Sequence, residues 1–134
     1  MFLIDTSIVK ELTRRQPDET VMAWLEAMRA PAAQLSLSVV TVDDIAYDLA
    51  RKPKPRASAR FNDMLENNIV LPVSQSIARR AGELRGAFAL RGQVRSQADM
   101  LIAATAQLHA LTLVTRNVRD FDGCGITVLN PFER

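Results

Sequence analysis

The chain has 134 residues, 48% of them apolar and 24% charged, which excludes a disordered or fibrous protein and fits one domain spanning 1–134. Seventeen Lys and Arg against fifteen Asp and Glu leave a net charge of +2. A single Cys and a single His exclude an internal disulfide and a zinc site of the usual four N/S ligands, so any chemistry belongs to carboxylates.

Phe2-Leu3-Ile4 is a short apolar run stopped by Asp5 and predicts a buried strand. Thr6 is a candidate cap for a helix to about Arg15, ended by Gln16-Pro17. Asp18 can cap a second helix, whose apolar stripe is Val21, Trp24, Leu25 and Met28, until Pro31 breaks it. Leu35 to Val40 predicts the second strand, and Thr41 then leads a helix to about Ala50. Trp24 and Tyr47 read as core or interface. Lys52-Pro53-Lys54-Pro55 is a stiff basic loop, because proline disfavours helix in the residue before it. Phe61, Met64 and Leu65 mark another helix, its apolar side forming core or a groove for a partner helix.

Ile69-Val70-Leu71 predicts a third strand, stopped by Pro72. A helix from about Ser76 to Leu90 places Ile77, Ala81, Leu84 and Phe88 inward. Ser96 opens a very apolar helix to about Leu108, where His109 reads as a cap. Leu111–Val114 and Ile126–Leu129 predict the last two strands. Strands that are apolar on successive residues, alternating with helices, imply an α/β sandwich with a parallel sheet covered on both faces. The opening Met1-Phe2-Leu3-Ile4 has no basic or long apolar region, and the most apolar stretch, Met100 to Ala106, is far shorter than a membrane span. The expectation is a cytoplasmic protein with no membrane partner.

The charge is segregated. Residues 51–95 carry ten Lys and Arg against three acids, a segment of +7 that leaves −5 for the remainder. Fourteen of the seventeen cations are Arg, whose planar fork suits phosphate. Arg79, Arg80 and Arg85, or the 51–56 loop, are the candidates for binding a polyanion; a solvated helix face is the other reading of the same charges.

Four acids occupy equivalent places. Asp5 follows the first strand, Asp44 lies three residues after Thr41, Asp99 three after Ser96, and Asp120 shortly after the Leu111–Val114 strand, preceded by Asn117. In a parallel α/β sheet, strand C-termini and helix N-termini share one edge, so acids scattered in sequence can converge. Thr41-x-x-Asp44 and Ser96-x-x-Asp99 also fit capping boxes, Asp5 a turn and Asp120 a cap. Asp99 fits capping least well, because its helix is apolar nearly all round and a carboxylate beside such a core calls for a cation. Clustered acids with Asn117 suit Mg²⁺, which takes oxygen ligands and keeps water; a water activated by the ion can attack phosphorus.

Five blocks in order, Met1-Phe-Leu-Ile-Asp5-Thr-Ser, Val42-Asp-Asp44-Ile, Ala98-Asp99-Met-Leu-Ile-Ala-Ala-Thr-Ala106, Leu113-Val-Thr-Arg-Asn117-Val-Arg-Asp120-Phe and Leu129-Asn-Pro-Phe-Glu133, resemble PIN-domain toxins of the VapC/FitB type across the whole chain. The resemblance implies a three-layer α/β/α PIN fold and an endoribonuclease that uses Mg²⁺, or Mn²⁺, to hydrolyse RNA phosphodiesters. It also implies the toxin of a type II toxin–antitoxin pair, a homodimer neutralised by a cognate antitoxin that alone brings the assembly to operator DNA. By position, Asp5 and Asp99 match the two firmest metal-binding acids, Asp44 a position that is usually Glu, and Asp120 with Asn117 the variable fourth. All four Asp are expected to be catalytic, with Thr6 and Thr115 beside them. Two departures stand out. Asp44 is one methylene shorter than Glu, so it reaches metal through water, and Ser7 replaces the commoner Asn, loosening the turn that holds Asp5. The alternative is a catalytically impaired PIN-fold module that works through its regulator. A phosphoacceptor receiver domain is disfavoured, because Asp5 stands alone and Arg116, not Lys, follows Thr115.

Overall fold

In a computed structural model, residues 1–29 and 33–133 are described; the predicted break at Pro31 lies outside them. Five strands, β1 (Phe2–Ile4), β2 (Leu35–Ser38), β3 (Ile69–Leu71), β4 (Thr112–Val114) and β5 (Val128–Leu129), form one parallel sheet in the order β3-β2-β1-β4-β5. The helices are α1 (Thr6–Leu12), α2 (Glu19–Arg29), α3 (Val39–Arg51), α4 (Pro55–Asn67), α5 (Gln75–Leu90) and α6 (Gln97–Leu108), with a 3-10 turn at Val118–Phe121.

Neighbouring residues of each central strand face opposite sides, which is why β1 is apolar on successive residues. Leu3 and Leu113 enter a core with Ile77, Leu84, Phe88 and Met100 from α5 and α6. Ile4 and Val114 enter the opposite core with Ile8, Val21, Ile45 and Phe61 from α1 to α4. The result is the expected α/β/α sandwich. Phe61 is buried and Met64 and Leu65 pack beside it half-buried, while Met64 also lines a groove with Met22 and Leu25, so this stripe serves core and groove alike. Trp24 meets the edge of the Phe2 ring, whereas Tyr47 lies outside both cores, 63% exposed under the Arg51 guanidinium.

Several boundaries differ from expectation. β2 ends at Ser38, not Val40: the Ser38 hydroxyl accepts the Val40 N–H at 3.0 Å and starts α3 two residues before Thr41. The β-branched pair Val39-Val40 thus belongs to helix, since one cap outweighs a weak strand preference. Asp5, not Thr6, is the N-cap residue of α1, and that helix stops at Leu12. Asp18 does cap α2, accepting the Thr20 and Val21 N–H groups. Pro55 belongs to the first turn of α4, where a missing N–H costs nothing, so the basic loop shortens to 52–54.

Candidate active site

The sheet order changes direction between β1 and β4, and the crevice beyond their C-terminal ends is where ligands of open parallel sheets collect. Asp5 sits at that point. Its N–H donates to the Val114 carbonyl at 2.9 Å, extending the β1–β4 ladder by one step. Although it occupies a cap position, its carboxylate makes no capping bond. Oδ2 instead accepts from the Thr115 hydroxyl at 2.7 Å and from the Ser7 hydroxyl at 3.0 Å. Asp5 is 4% exposed, and among the described residues no buried side-chain oxygen lacks a partner. Oδ1, which accepts no bond there, is therefore not sealed from solvent.

Ser7 does not loosen this turn. Its Oγ also accepts the Arg116 N–H at 3.2 Å, while Thr115 Oγ1 accepts the Asn117 N–H at 3.0 Å. Two hydroxyls thereby fix the acid to the loop after β4. Sequence reading gave Ser7 only the status of a substitution; its spacing, two residues after an acid at a strand end, is the signal that a hydroxyl could fold back onto it.

Asp44 lies in the second turn of α3, because Ser38 and not Thr41 caps that helix. The capping-box reading of Thr41 and Asp44 is thereby overturned. Thr41 is fully buried, its hydroxyl 2.9 Å from that of Thr6, and Thr6 in turn donates to Asp44 Oδ2 at 3.3 Å. Burial pushes the Asp44 carboxyl above its usual pKa, the Thr6 hydroxyl offsets part of the rise, and neighbouring Asp43 adds to it.

Asp99 occupies the first turn of α6, and the Ser96 hydroxyl accepts its N–H at 3.0 Å, half of a capping box. The carboxyl is half-buried and its pKa is raised, first by burial and then, against the Ser96 hydroxyl, by the charges of Asp5, Asp120 and Asp44. Asp99 therefore feels all three of the other candidate acids. Among the described residues, none of the four takes part in an ion pair.

Asp120 and Asn117 are exposed, and the Asn117 side chain makes no capping bond to the 3-10 turn it precedes. This turn is strapped to the loop before α6 by Arg95, which donates to the Asp120 carbonyl at 2.7 Å and the Asp122 carbonyl at 2.9 Å. The Arg95 guanidinium also lies 4.0 Å from the Phe88 ring centroid. Nothing in the sequence distinguishes Arg95 from the other arginines of its segment. The α5 arginines are not brought to the acids by their contacts. Arg80 donates to Gln107 at 2.8 Å, eight residues and about 12 Å along α6 from Asp99. Arg79 and Arg85 are exposed on α5.

The donor set suits a hard dication: carboxylate oxygens, unpaired, with like charges facing one half-buried member. Among the described residues no three His, Cys, Asp or Glu side chains stand as a ready ligand cluster. An ion here would take a few direct oxygens and fill its shell with water, as Mg²⁺ prefers.

The profile of the PIN domain family matches residues 2–123. The chain is 31% identical to "VapC ribonuclease Y4jK" of Sinorhizobium fredii over 99% of each chain, and 30% identical to "Toxin FitB" of Neisseria gonorrhoeae over 98% of this chain and 99% of that one. The crystal structure of FitAcB from Neisseria gonorrhoeae superposes over the full length of both chains with a TM-score of 0.82 and 30% identity. Sequence and fold thus agree, and the chain belongs to the PIN-domain family, in its VapC/FitB group.

Proposed function

We propose that this chain is an endoribonuclease that depends on Mg²⁺ or Mn²⁺ and serves as the toxin of a type II toxin–antitoxin pair. The observation that carries the reading is the unpaired Asp99 carboxylate, half-buried in the first turn of α6 and near enough to Asp5, Asp120 and Asp44 for their charges to raise its pKa. When bound, a dication supplies Lewis acidity and lowers the pKa of a water for attack on phosphorus. Asp5 and Asp99 would hold the ion. Ser7 and Thr115 fix the Asp5 carboxylate by bonding its other oxygen. Asp44, steadied by Thr6, and Asp120, with Asn117 beside it, would complete the ion's surroundings or orient a water. No His or Cys is needed for this chemistry.

The names of its relatives, a VapC ribonuclease and the toxin FitB, support RNA as substrate and toxin as role. In this reading the chain works as a homodimer in the cytoplasm, neutralised by a cognate antitoxin through which alone the assembly reaches operator DNA. Among the described residues no helix is long and apolar enough to cross a membrane. The decisive experiment compares purified Asp5→Asn and Asp99→Asn with the parent on RNA in Mg²⁺. Cleavage falls by more than the ~10–100-fold typical of outer-shell partners. Parent-like rates in both variants would sink the reading. Because no ready three-acid cluster is present among the described residues, a binding module with an impaired site is the second reading. Calorimetric Mn²⁺ titration separates the two, since an impaired site takes up metal weakly or not at all.

A further inference from the structure

A basic concavity lies next to the Ser7 that holds Asp5, and not on α5. A groove of about 1130 Å³ runs between α1, α3 and α4. Nine of its lining residues are Lys or Arg and two are acids. Both acids are already engaged. Glu11 is buried and accepts twice from Arg14 and once from the Asp18 N–H, and Asp48 pairs with Lys10 at 3.0 Å and Arg51 at 3.8 Å. Arg15, Lys52, Lys54 and Arg56 are exposed in this groove with no carboxylate at ion-pair distance among the described residues.

Two further features favour an anion. The α4 helix, thirteen residues long, begins inside the groove at Pro55 and has no side-chain cap, leaving the Arg56 and Ala57 N–H groups without a capping acceptor. The Lys52-Pro53-Lys54-Pro55 segment is stiffened by two prolines, so little chain entropy is lost when a ligand orders it. The groove also reaches the reacting crevice, because it is lined by Ser7, which bonds Asp5, and by Arg116, whose N–H bonds Ser7. No aromatic side chain lines it, so its grip is on charge and not on stacked bases.

We propose that this groove is the phosphate track of the enzyme: a single RNA strand leaves the carboxylate crevice past Ser7 and Arg116 and lays its backbone along the 52–56 segment and α1. The proposal rests on the ribonuclease reading and assigns its substrate path. The strand is held by charge, tolerantly of base sequence, and the α5 arginines are not part of the path.

The test measures binding, not cleavage. Fluorescence anisotropy of a short labelled single-stranded oligoribonucleotide in EDTA compares the parent, Lys52→Gln/Lys54→Gln/Arg56→Gln, and Arg79→Gln/Arg85→Gln across a salt series, with thermal unfolding to confirm that each folds. The triple variant loses about tenfold or more at low salt, and its log K against log salt slope becomes shallower by about 2, three contacts at roughly 0.7 each. An unchanged triple variant overturns the proposal, as does an equal or larger loss in the α5 pair. A poly-glutamate probe is run alongside. If the triple variant loses affinity for that peptide and not for the oligoribonucleotide, the groove serves an acidic protein partner and the proposal falls. Failure of the ribonuclease reading is distinguishable: cleavage would survive Asp5→Asn and Asp99→Asn whatever the anisotropy shows.

Discussion

Asp5 and Asp99 stand on the same edge of the sheet and are built in opposite ways. Asp5 follows a central strand, is almost completely buried, and is fixed by two hydroxyls on one oxygen. Asp99 rides on the first turn of a helix, with like charges around it and no ion-pair partner among the described residues. The strand side supplies a carboxylate of fixed direction, while the helix side supplies one whose charge is uncompensated until a cation arrives. Binding a hard ion needs both properties, since direction gives geometry and unrelieved repulsion gives affinity.

If the strand side acts through orientation, removing one hydroxyl should cost metal affinity while the charge stays in place. Thr115→Val deletes the 2.7 Å bond to Asp5 and a bond from the Asn117 N–H. Mn²⁺ affinity should fall by about 10–100-fold, the range for lost outer-shell partners, and Thr115→Ser should restore most of it. Calorimetry gives the affinities. A Thr115→Val protein that binds Mn²⁺ like the parent would show that Asp5 needs no such support.

The contrast also sets what the sequence made legible. All five strands and the two covered faces were readable, because runs such as Phe2-Leu3-Ile4 and Leu111–Val114 are apolar on both sides of the sheet. Asp5 and Asp99 were readable as a strand-end and a helix-start position, whereas Asp44 lies one turn further into its helix than the sequence suggested. The partners that hold them were less so. Ser38 hid as a cap because the Val39-Val40 pair behind it reads as strand, so Asp44 was assigned a capping box it does not form. Ser7 read as a loosening substitution, because whether a hydroxyl folds back two residues depends on the turn, which only the β1–β4 register fixes. Arg95 could not be told from nine other cations in its segment, since its two carbonyl acceptors lie 25 and 27 residues away.

Arg95 offers a smaller effect that sharpens the comparison on the helix side. It ties the turn carrying Asp120 to the loop that leads into Asp99. Arg95→Ala should weaken Mn²⁺ binding several-fold, less than Thr115→Val, because the side chain acts through the backbone of an exposed turn. In an Asp120→Asn background the same substitution should cost little further affinity. Equal losses in both backgrounds would mean that Arg95 does not work through Asp120.

The smallest expected effect concerns stability, and its sign is opposite to that on activity. Burial and three neighbouring carboxylates raise the Asp99 pKa above the usual carboxylate range in the folded chain. A raised acid pKa means that the folded state binds more protons than the unfolded one between the two values, so folding loses stability as pH rises through that window. At neutral pH without metal the ionised Asp99 is therefore a cost to the fold, and Asp99→Asn, which keeps the shape and removes the charge, should unfold about 1–3 °C higher than the parent. The gain should shrink as pH falls towards the usual carboxylate range, where both forms are neutral, and Mn²⁺ should reverse it by stabilising only the parent. Thermal scans at several pH values, with EDTA and with Mn²⁺, give the comparison. A variant less stable than its parent in EDTA at neutral pH would mean that the Asp99 charge already has its compensation within the protein, and that the pull on a cation comes from elsewhere on this edge.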